Sequence, residues 1–419
     1  MQNHPADQEP RRVLGSFFAP KSQNTPTWEQ RKLGEIAKEV VRNDPASDAP
    51  IMMITAGNGF IEQSDRYAFN NAGESLKKYI LLERGELAYN HGASKLRPYG
   101  SCFALTTVEK ARIPFVYHCF SVEKSNPEFL SIELNGANVE NQLRKIVSSG
   151  ARMDGLLNIA YSEYTEVTVQ LPKKEEQDWI AKFFKHLDTL ITLHQRKYEK
   201  LVNIKKSMLD KMFPQNGVSV PEIRFKGFTD PWEQRKLAEI ANFSKGVGYS
   251  KNDLCEEGTP IILYGRLYTK YETSIFDVDT FVKEKAGSVY SKGGEVIVPA
   301  SGETAEDISI ASVVVKPGIL LGGDLNVVSP TTEYDSAFLA LTISSGAAHE
   351  YLSSLAQGKS VVHLHNTDIQ SVSAKFPTKR EQEKIHLLFG KIDTLITLHQ
   401  RKLEKLQNIK KSCLEKMFV

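Results

Sequence analysis

Five polar side chains that could read DNA bases lie in one Gly- and Pro-containing stretch, residues 89–100. They are Asn90, His91, Ser94, Lys95 and Arg97. An asparagine amide can pair bidentately with adenine in the major groove of DNA, and lysine or arginine can pair with guanine. The same composition is also typical of a solvated turn. The stretch is therefore a candidate for base recognition, with a turn as the alternative.

Similar side chains recur further along the chain, in residues 148–152, 245–251, 264–270 and 357–366. The second of these stretches, Lys-Gly-Val-Gly-Tyr-Ser-Lys, could place backbone amides and cations on phosphates, contacts that position a protein without specifying a sequence. Packing and turns are the alternative roles. The candidate contacts in the four stretches are Arg152, Lys245, Tyr249, Lys251, Tyr264, Arg266, Tyr268, Lys359, His363, His365 and Asn366.

The motifs of a self-contained enzyme are missing from the sequence. There is no Asn/Asp-Pro-Pro-aromatic motif of adenine methyltransferases and no Gly-x-Gly-x-x-Gly after a strand. Gly358-Lys359-Ser360 resembles the end of a phosphate loop, but the required first glycine is replaced by Ser353. His363 and His365 have no evident third metal ligand, and the four cysteines form no Cys-x-x-Cys pair. We expect no catalytic residue and no metal ligand on this chain.

An internal repeat indicates which elements position the candidate residues. Residues 188–213 return at 393–418 with 22 of 26 positions identical, and Trp-Glu-Gln-Arg-Lys-Leu occurs unchanged at 28–33 and 232–237. The intervening segments 38–160 and 242–360 show no convincing alignment. A constant frame with two unlike inserts suggests a device that reads two different things at a set separation.

Residues 175–212 have the pattern of one long helix without Gly or Pro. Its apolar positions recur every seven residues, and the second copy repeats them up to Cys413, which is typical of coiled-coil packing. Each helix would be about 57 Å long at 1.5 Å per residue. An antiparallel pair would relate the two halves by a pseudo-twofold axis.

Smaller elements and single residues carry further predictions. Residues 28–40 have the pattern of a short helix, and residues 51–54, 79–82 and 166–169 are predicted strands. His194 and His399 occupy equivalent positions on the apolar stripe, where we expect buried imidazoles bonded to polar neighbours. Trp28 and Trp232 are expected to anchor each insert to the frame by packing.

Charge is distributed unevenly along this chain of 419 residues, although the net charge is only +2. The two helical segments, 173–213 and 375–419, carry +4 and +6, which leaves −8 for the remainder. A basic frame is compatible with a nucleic-acid partner, but Lys-rich solvated helix faces are an equal alternative on charge alone. No apolar run approaches the length of a membrane span, and the first residues contain no apolar signal core, so a cytoplasmic location is expected.

The doubled Trp-Glu-Gln-Arg-Lys-Leu segment, the Pro-x3-Glu-Gln helix start and the Asp-Thr-Leu-Ile-Thr-Leu-His-Gln-Arg-Lys run resemble the specificity subunit of a type I restriction-modification system. The resemblance covers nearly the whole chain, except that residues 220–228 have no counterpart before Trp28. It implies a non-catalytic reader of double-stranded DNA, with its DNA contacts in the inserts. It also implies two methyltransferase subunits and, through them, restriction subunits as partners. S-adenosylmethionine, ATP and Mg would be bound by those partners.

These observations predict an α+β protein with two globular target-recognition domains joined by two long antiparallel coiled-coil-type helices. The predicted segments are a leader (1–27), a first recognition domain (28–171), a first helical spacer (172–216), a lead-in with the second recognition domain (217–376) and a second spacer (377–419). The predicted function is recognition of a bipartite, asymmetric DNA site. A stand-alone DNA-binding regulator and a protein scaffold are the alternatives.

Overall fold

The computed structural model describes residues 28–66, 73–147, 157–215, 217–358 and 361–418. Contacts divide the chain into two compact units, which are described separately. Unit 1 contains the described residues up to Ile191 and those from Leu406 onward, and unit 2 contains those of Thr192–Lys405. The leader 1–27 predicted from the sequence lies outside the described residues.

Besides its parts of two long helices, the described portion of unit 1 contains short strands and three short helices. In chain order their bounds are β1 Glu29–Lys32, β2 Ala37–Glu39, β3 Met52–Thr55, β4 Gly59–Glu62, β5 Ile80–Glu83, β6 Leu87–Asn90, β7 Ser101–Ala104, β8 Lys110–Ile113, β9 His118–Val122, α1 Pro127–Leu134, α2 Ala137–Ile146, α3 Tyr161–Tyr164 and β10 Thr168–Leu171. An antiparallel sheet has the order β2-β9-β6-β7, and β1-β10, β3-β4 and β5-β8 form separate antiparallel pairs. Helix α1 begins where the Asn126 side chain accepts a hydrogen bond from Phe129 N, an ordinary N-cap.

Two helices of 39 residues each have one part in unit 1 and the other part in unit 2. The first is α4, Lys174–Met212, and the second is Lys379–Met417. Between them in the chain lie β11 Glu233–Lys236, α5 Leu237–Ile240, β12 Ala241–Lys245, β13 Leu254–Cys255, β14 Thr259–Ile262, α6 Arg266–Thr269, β15 Ser274–Ile275, β16 Phe281–Val282, β17 Glu295–Pro299, β18 Ser301–Gly302, α7 Ala305–Ile308, β19 Ser312–Val314, β20 Leu320–Leu321, β21 Leu325–Pro330, α8 Ser336–Ile343, α9 Gly346–Leu355, β22 Val362–His363, α10 Asn366–Ser371 and β23 Ser373–Phe376. The helix Lys379–Met417 is α11.

The centre of unit 2 is a five-stranded sheet in the order β12-β21-β17-β19-β15. Every residue of β17 is buried, as expected of a central strand covered on both faces. A second sheet has the order β13-β16-β14-β20, and β11-β23 and β18-β22 form short antiparallel pairs. Helix α8 is buried at six of its eight positions, so it packs as a core element of this unit.

The helices α4 and α11 pack against each other in antiparallel fashion. In unit 2, Lys205 Nζ lies 2.6 Å from Asp393 Oδ1, and His194 Nδ1 lies 2.8 Å from His399 Nδ1. Later residues of α4 therefore meet earlier residues of α11. The predicted α+β class with two long packed helices is confirmed. Each of the two histidines is the polar neighbour of the other, but both imidazoles are half-buried and not buried as predicted.

The identical Trp-Glu-Gln-Arg-Lys-Leu segments form equivalent strands. In unit 1, β1 pairs with β10, which directly precedes α4, and in unit 2, β11 pairs with β23, which directly precedes α11. The prediction of a helix over residues 28–40 is wrong: that segment contains β1, a 3-10 turn at Leu33–Glu35 and β2. Pairing with a strand that is distant in sequence overrides the local apolar spacing.

The tryptophans of these segments pack in aromatic clusters, as predicted. In unit 1, the Trp28 ring centroid lies 5.8 Å from that of Phe129 and 5.7 Å from that of Phe418. In unit 2, Trp232 is buried and lies 5.6 Å from Phe338 and 5.8 Å from Phe213. Each cluster thus includes the phenylalanine that follows one of the long helices.

Candidate nucleic-acid interface

The polar stretch of unit 1 forms the connection between β6 and β7. Asn90 at the end of β6 is turned to the protein: its Nδ2 donates to Ile54 O at 3.0 Å, and its Oδ1 accepts from Gly92 N at 2.9 Å. His91 is buried, with Nδ1 2.8 Å from Leu157 O and Nε2 2.7 Å from Val116 O. Both side chains therefore hold the loop in place.

The tip of this loop is a hydroxyl-stabilised turn that presents one lysine to solvent. Ser94 Oγ accepts from Arg97 N at 3.0 Å, and Lys95 between them is exposed. Arg97 is half-buried, and its Nη1 donates to Asn135 O at 2.6 Å, at the end of α1. Burial lowers the pKa of the Arg97 guanidinium. Arg97 thus ties the loop to the helical layer, and Lys95 is the cation available at its tip.

A second cation near this loop was missed by the sequence analysis. Arg144, exposed in the last turn of α2, places its guanidinium carbon 5.7 Å from the centre of the Tyr99 ring. Its signal in the sequence was the basic pair Arg144-Lys145 at the end of an amphipathic helix, but the spacing of 45 residues from Tyr99 concealed the contact. The predicted contact Arg152 lies outside the described residues.

In unit 2, the stretch 245–251 separates into exposed cations and a structural tyrosine. Lys245 and Lys251 are exposed. Tyr249 is buried, its hydroxyl lies 2.5 Å from Ser288 Oγ, and it accepts from Lys285 N at 2.7 Å. The lysines are therefore available to a partner, while the tyrosine fixes the loop.

The next predicted group, residues 264–270, has structural contacts. Arg266 donates from Nη2 to Glu272 at 2.7 Å and from Nη1 to Asp279 at 2.8 Å, and its side chain is only 8% exposed. The Tyr268 hydroxyl donates to Ser301 O. Tyr264 is half-buried against Tyr268, with ring centroids 6.0 Å apart. Arg266 and Tyr268 therefore position β18 and the neighbouring turns, because the Arg266 Nη atoms and the Tyr268 hydroxyl bond to protein groups.

The third predicted group surrounds the short strand β22. His363 and His365 are exposed, and His363 Nδ1 lies 3.3 Å from Ser301 Oγ. Asn366 donates from Nδ2 to Ser244 O at 2.9 Å, and its buried Oδ1 has no partner among the described residues. Lys359 lies outside the described residues.

Hydrogen bonds bring the first and third groups of unit 2 together. The Asn366 bond to Ser244 O places the start of α10 beside the end of β12, where Lys245 lies. Asn326, the register partner of Lys245 in β21, is fully buried and donates from Nδ2 to Leu364 O at 2.9 Å. Lys245, His363 and His365 therefore belong to one exposed edge of unit 2, although Lys245 is 118 positions from His363 in the sequence.

The long helices expose a different kind of surface. Leu193 and Leu398 occupy equivalent positions of the repeat, and each is 44% exposed. In both copies of the repeat, the leucine is followed by the same sequence, His-Gln-Arg-Lys. Burial and nearby cations lower the pKa of His194 and of His399. Apolar side chains rimmed by cations are typical of a protein contact surface.

Among the described residues, no group of three or more His, Cys, Asp and Glu side chains is arranged to hold a metal ion. A search of the same part of the chain finds no helix with the length and apolar character that crossing a membrane requires.

Comparison with known proteins yields consistent matches. Residues 229–408 match the family model of the type I restriction modification DNA specificity domain. The type I restriction enzyme MjaVIII specificity subunit of Methanocaldococcus jannaschii is 23% identical over 278 residues, which are 63% of this chain and 64% of that protein. The match thus spans less than two thirds of that relative's length. The crystal structure of a type I restriction-modification system S subunit from M. genitalium shares the fold, with a TM-score of 0.56, 14% identity and coverage of 96% of this chain and 98% of that one.

Proposed function

We propose that this chain is a specificity subunit of a type I restriction-modification system and reads a bipartite, asymmetric DNA site for a methyltransferase and restriction complex, as its similarity to that family suggests. Residues 28–171 and 217–376 are the two target-recognition domains of this proposal, and residues 172–216 and 377–419 are the spacers. The chain itself carries no catalysis in this proposal. It acts in the cytoplasm, where its DNA substrate is found.

The observation that carries the proposal is the recurrence of the same frame contacts around unlike inserts. Asp188 pairs with Lys410 at 2.5 Å in unit 1, and Asp393, its equivalent, pairs with Lys205 at 2.6 Å in unit 2. These carboxylates and amines are 205 residues apart in the repeat. A duplicated frame presents two inserts in the same way, so two different half-sites can be read by one chain.

A second duplicated contact supports the same conclusion at the start of each long helix. The buried Gln177 donates to Pro172 O at 2.9 Å and accepts from Asn126 N at 2.8 Å. Its equivalent Gln382 donates to Pro377 O at 2.8 Å and accepts from Asp335 N at 2.8 Å. Each glutamine thus joins the spacer helix to the N-cap of a helix in the insert, which sets the position of the insert on the frame.

The structure favours the exposed members of the predicted contact set as DNA ligands. These are Lys95 in the first domain and Lys245, Lys251, His363 and His365 in the second. Arg152 and Lys359 remain proposed contacts on sequence grounds. We assign a positioning role to Tyr264, whose ring packs against Tyr268. We assign the same role to the hydrogen-bonded side chains, because a base or phosphate would have to displace their protein partners; they are Asn90, His91, Ser94, Arg97, Tyr249, Arg266, Tyr268 and Asn366.

The partners of the proposal are two methyltransferase subunits that bind equivalent surfaces of the repeat around Leu193 and Leu398, with restriction subunits bound through them. S-adenosylmethionine, ATP and Mg are then held by these partners. Because one surface occurs twice in the chain, two copies of one partner can bind by the same contacts. The double variant Leu193→Asp/Leu398→Asp should lose co-purification of the methyltransferase subunit encoded in the source genome. Leu254→Asp, at a similarly exposed leucine outside the helices, is the matched control, and equal losses would argue against this surface.

The proposed function is tested by single-molecule mapping of N6-methyladenine in the source genome, with the chain present and deleted. We expect deletion to remove one methylated motif with two defined half-sites around an undefined spacer. An unchanged map in cells that express the methyltransferase would contradict the proposal and favour a stand-alone DNA-binding regulator. Site-specific binding by the purified chain alone would identify that regulator.

A further inference from the structure

Of the non-glycine residues that the structure describes, Asp324 alone has a positive φ, 57°. It ends the turn Gly322-Gly323-Asp324 between β20 and β21. The left-handed region is unfavourable for residues with a side chain, and glycine adopts it freely. The two glycines of this turn do not have left-handed φ values, so the turn carries a carboxylate at the position where glycine would be least strained.

The glycines are explained by close backbone approach. A Cβ atom at Gly246 would lie 2.0 Å from Gly322 O, and one at Gly322 would lie 2.6 Å from Leu263 Cδ2. The loop after β12 is therefore pressed against the turn before β21. This close approach accounts for the two glycines Gly246 and Gly322.

The usual local reason for a left-handed aspartate is also missing. Such residues commonly use the carboxylate to bond a neighbouring backbone group. The Asp324 carbonyl accepts from Ala300 N at 2.8 Å, but its carboxylate has no hydrogen bond or ion pair to the described residues and is exposed. Asp324 thus has an unfavourable backbone conformation, and its side chain has no partner among the described residues of unit 2.

Asp324 lies at the proposed DNA-contact edge. Ala300, which donates to Asp324 O, also accepts from Leu364 N at 3.0 Å, and the adjacent Ser301 pairs with His363 in the β18-β22 ladder. Two residues after Asp324, Asn326 is the register partner of the exposed Lys245. Lys245, a candidate phosphate contact, therefore lies opposite a residue that is two positions from Asp324.

We propose that Asp324 is a specificity-determining residue that accepts a hydrogen bond from an exocyclic amino group of a base in the major groove. This inference rests on the proposed function of the chain. A carboxylate only accepts hydrogen bonds and is repelled by phosphate, so it reads bases and not the DNA backbone. The amino donors in the major groove are N4 of cytosine and N6 of adenine, and acidic side chains are suited to the former.

The test replaces Asp324 in the full chain and maps N6-methyladenine in a deletion strain of the source organism that keeps its methyltransferase partner. Asp324→Gly removes the carboxylate and retains the left-handed turn, because glycine adopts this φ without strain. One motif position that is cytosine or adenine for the wild type should become degenerate, with discrimination there reduced roughly tenfold to hundredfold. The base that the wild type requires at the degenerate position then shows whether Asp324 accepts from cytosine N4 or from adenine N6.

Two comparisons make the outcome unambiguous. Glu333→Ala, at another exposed carboxylate of unit 2, should leave every motif position unchanged. An unchanged motif for Asp324→Gly, or weaker methylation of an unchanged motif, would overturn the assignment of Asp324. A wild-type chain that restores no motif would instead overturn the proposed function, and the inference with it. Thermal unfolding of the purified variants checks that Asp324→Gly folds at least as stably as the wild type.

Discussion

A buried carboxyl group in unit 1 makes the stability of this protein depend on pH. Glu133 in α1 is 1% exposed, and its Oε1 accepts from Gln170 N at 2.9 Å. Burial raises the pKa of this carboxyl to about 7, and the bond from Gln170 opposes the rise only in part. Since the folded pKa is the higher one, the folded state holds the proton over a range in which the unfolded state has lost it.

The sign and size of the effect follow from this difference. Stability falls as pH rises from the unfolded pKa of 4.5 through the folded value of about 7, because folding must then bury a charge or take up a proton. One pKa unit corresponds to about 1.4 kcal/mol, so the destabilisation reaches roughly 3 kcal/mol at pH 8 and is below about 1 kcal/mol at pH 5.

The variant Glu133→Gln removes the titration and keeps an oxygen that can accept from Gln170 N. We expect its free energy of unfolding, relative to the wild type, to improve by roughly 2–3 kcal/mol between pH 5 and pH 8. Urea unfolding at pH 5, 6, 7 and 8 measures this change. The comparison across pH cancels any constant cost of burying the amide.

Glu123→Gln is the control, because it makes the same substitution at an exposed position of the same unit. Parallel pH profiles for the wild type and Glu133→Gln would refute the reasoning, since they would show that the Glu133 pKa does not change on folding.

Three further predictions address the frame and the DNA-contact edge. Gly390 is exposed within α11, and a Cβ atom there would meet nothing within 4 Å. Gly390→Ala should therefore stabilise the protein by about 1 kcal/mol, which would appear as a higher midpoint of urea unfolding. A lower midpoint would contradict this prediction. Phe418→Ala and Phe213→Ala each remove a ring from an equivalent buried cluster and should each cost about 3–5 kcal/mol by the same measurement, whereas a cost under about 1 kcal/mol would contradict that packing. Lys245→Ala should reduce the slope of log affinity against log salt for DNA binding by the assembled complex by about 0.9, and an unchanged slope would remove Lys245 from the phosphate contacts.

The long helices could be predicted because their information is local and doubled. Seven-residue spacing places apolar side chains on one stripe of a helix, and the same stripe occurs twice in the chain, so each copy offers the other a complementary surface. The predicted helix over 175–212 agrees closely with the observed Lys174–Met212. The segment 28–40 was mispredicted because its strands are stabilised by β10 and β9, which are distant in sequence.

The candidate site could be predicted less well from the sequence than the long helices. Residue type identified loops with base-reading groups, but it could not tell Lys245, which is exposed, from Arg266, which is occupied by two carboxylates. Asp324 escaped notice because a single aspartate after two glycines has no distinctive pattern. Its significance depends on a φ value and on the absence of a side-chain partner among the described residues, and both are properties of the folded chain.

The sequence by itself determined that this protein has a duplicated helical frame with two different inserts, because repeats and helical periodicity are written in residue order. The tertiary structure decided which polar side chains are free to meet DNA. That outcome depends on contacts between residues far apart in the chain, such as Asn366 with Ser244 and Arg97 with Asn135. A polar side chain that satisfies a buried backbone group is lost to recognition, and only the packed structure shows which ones do so.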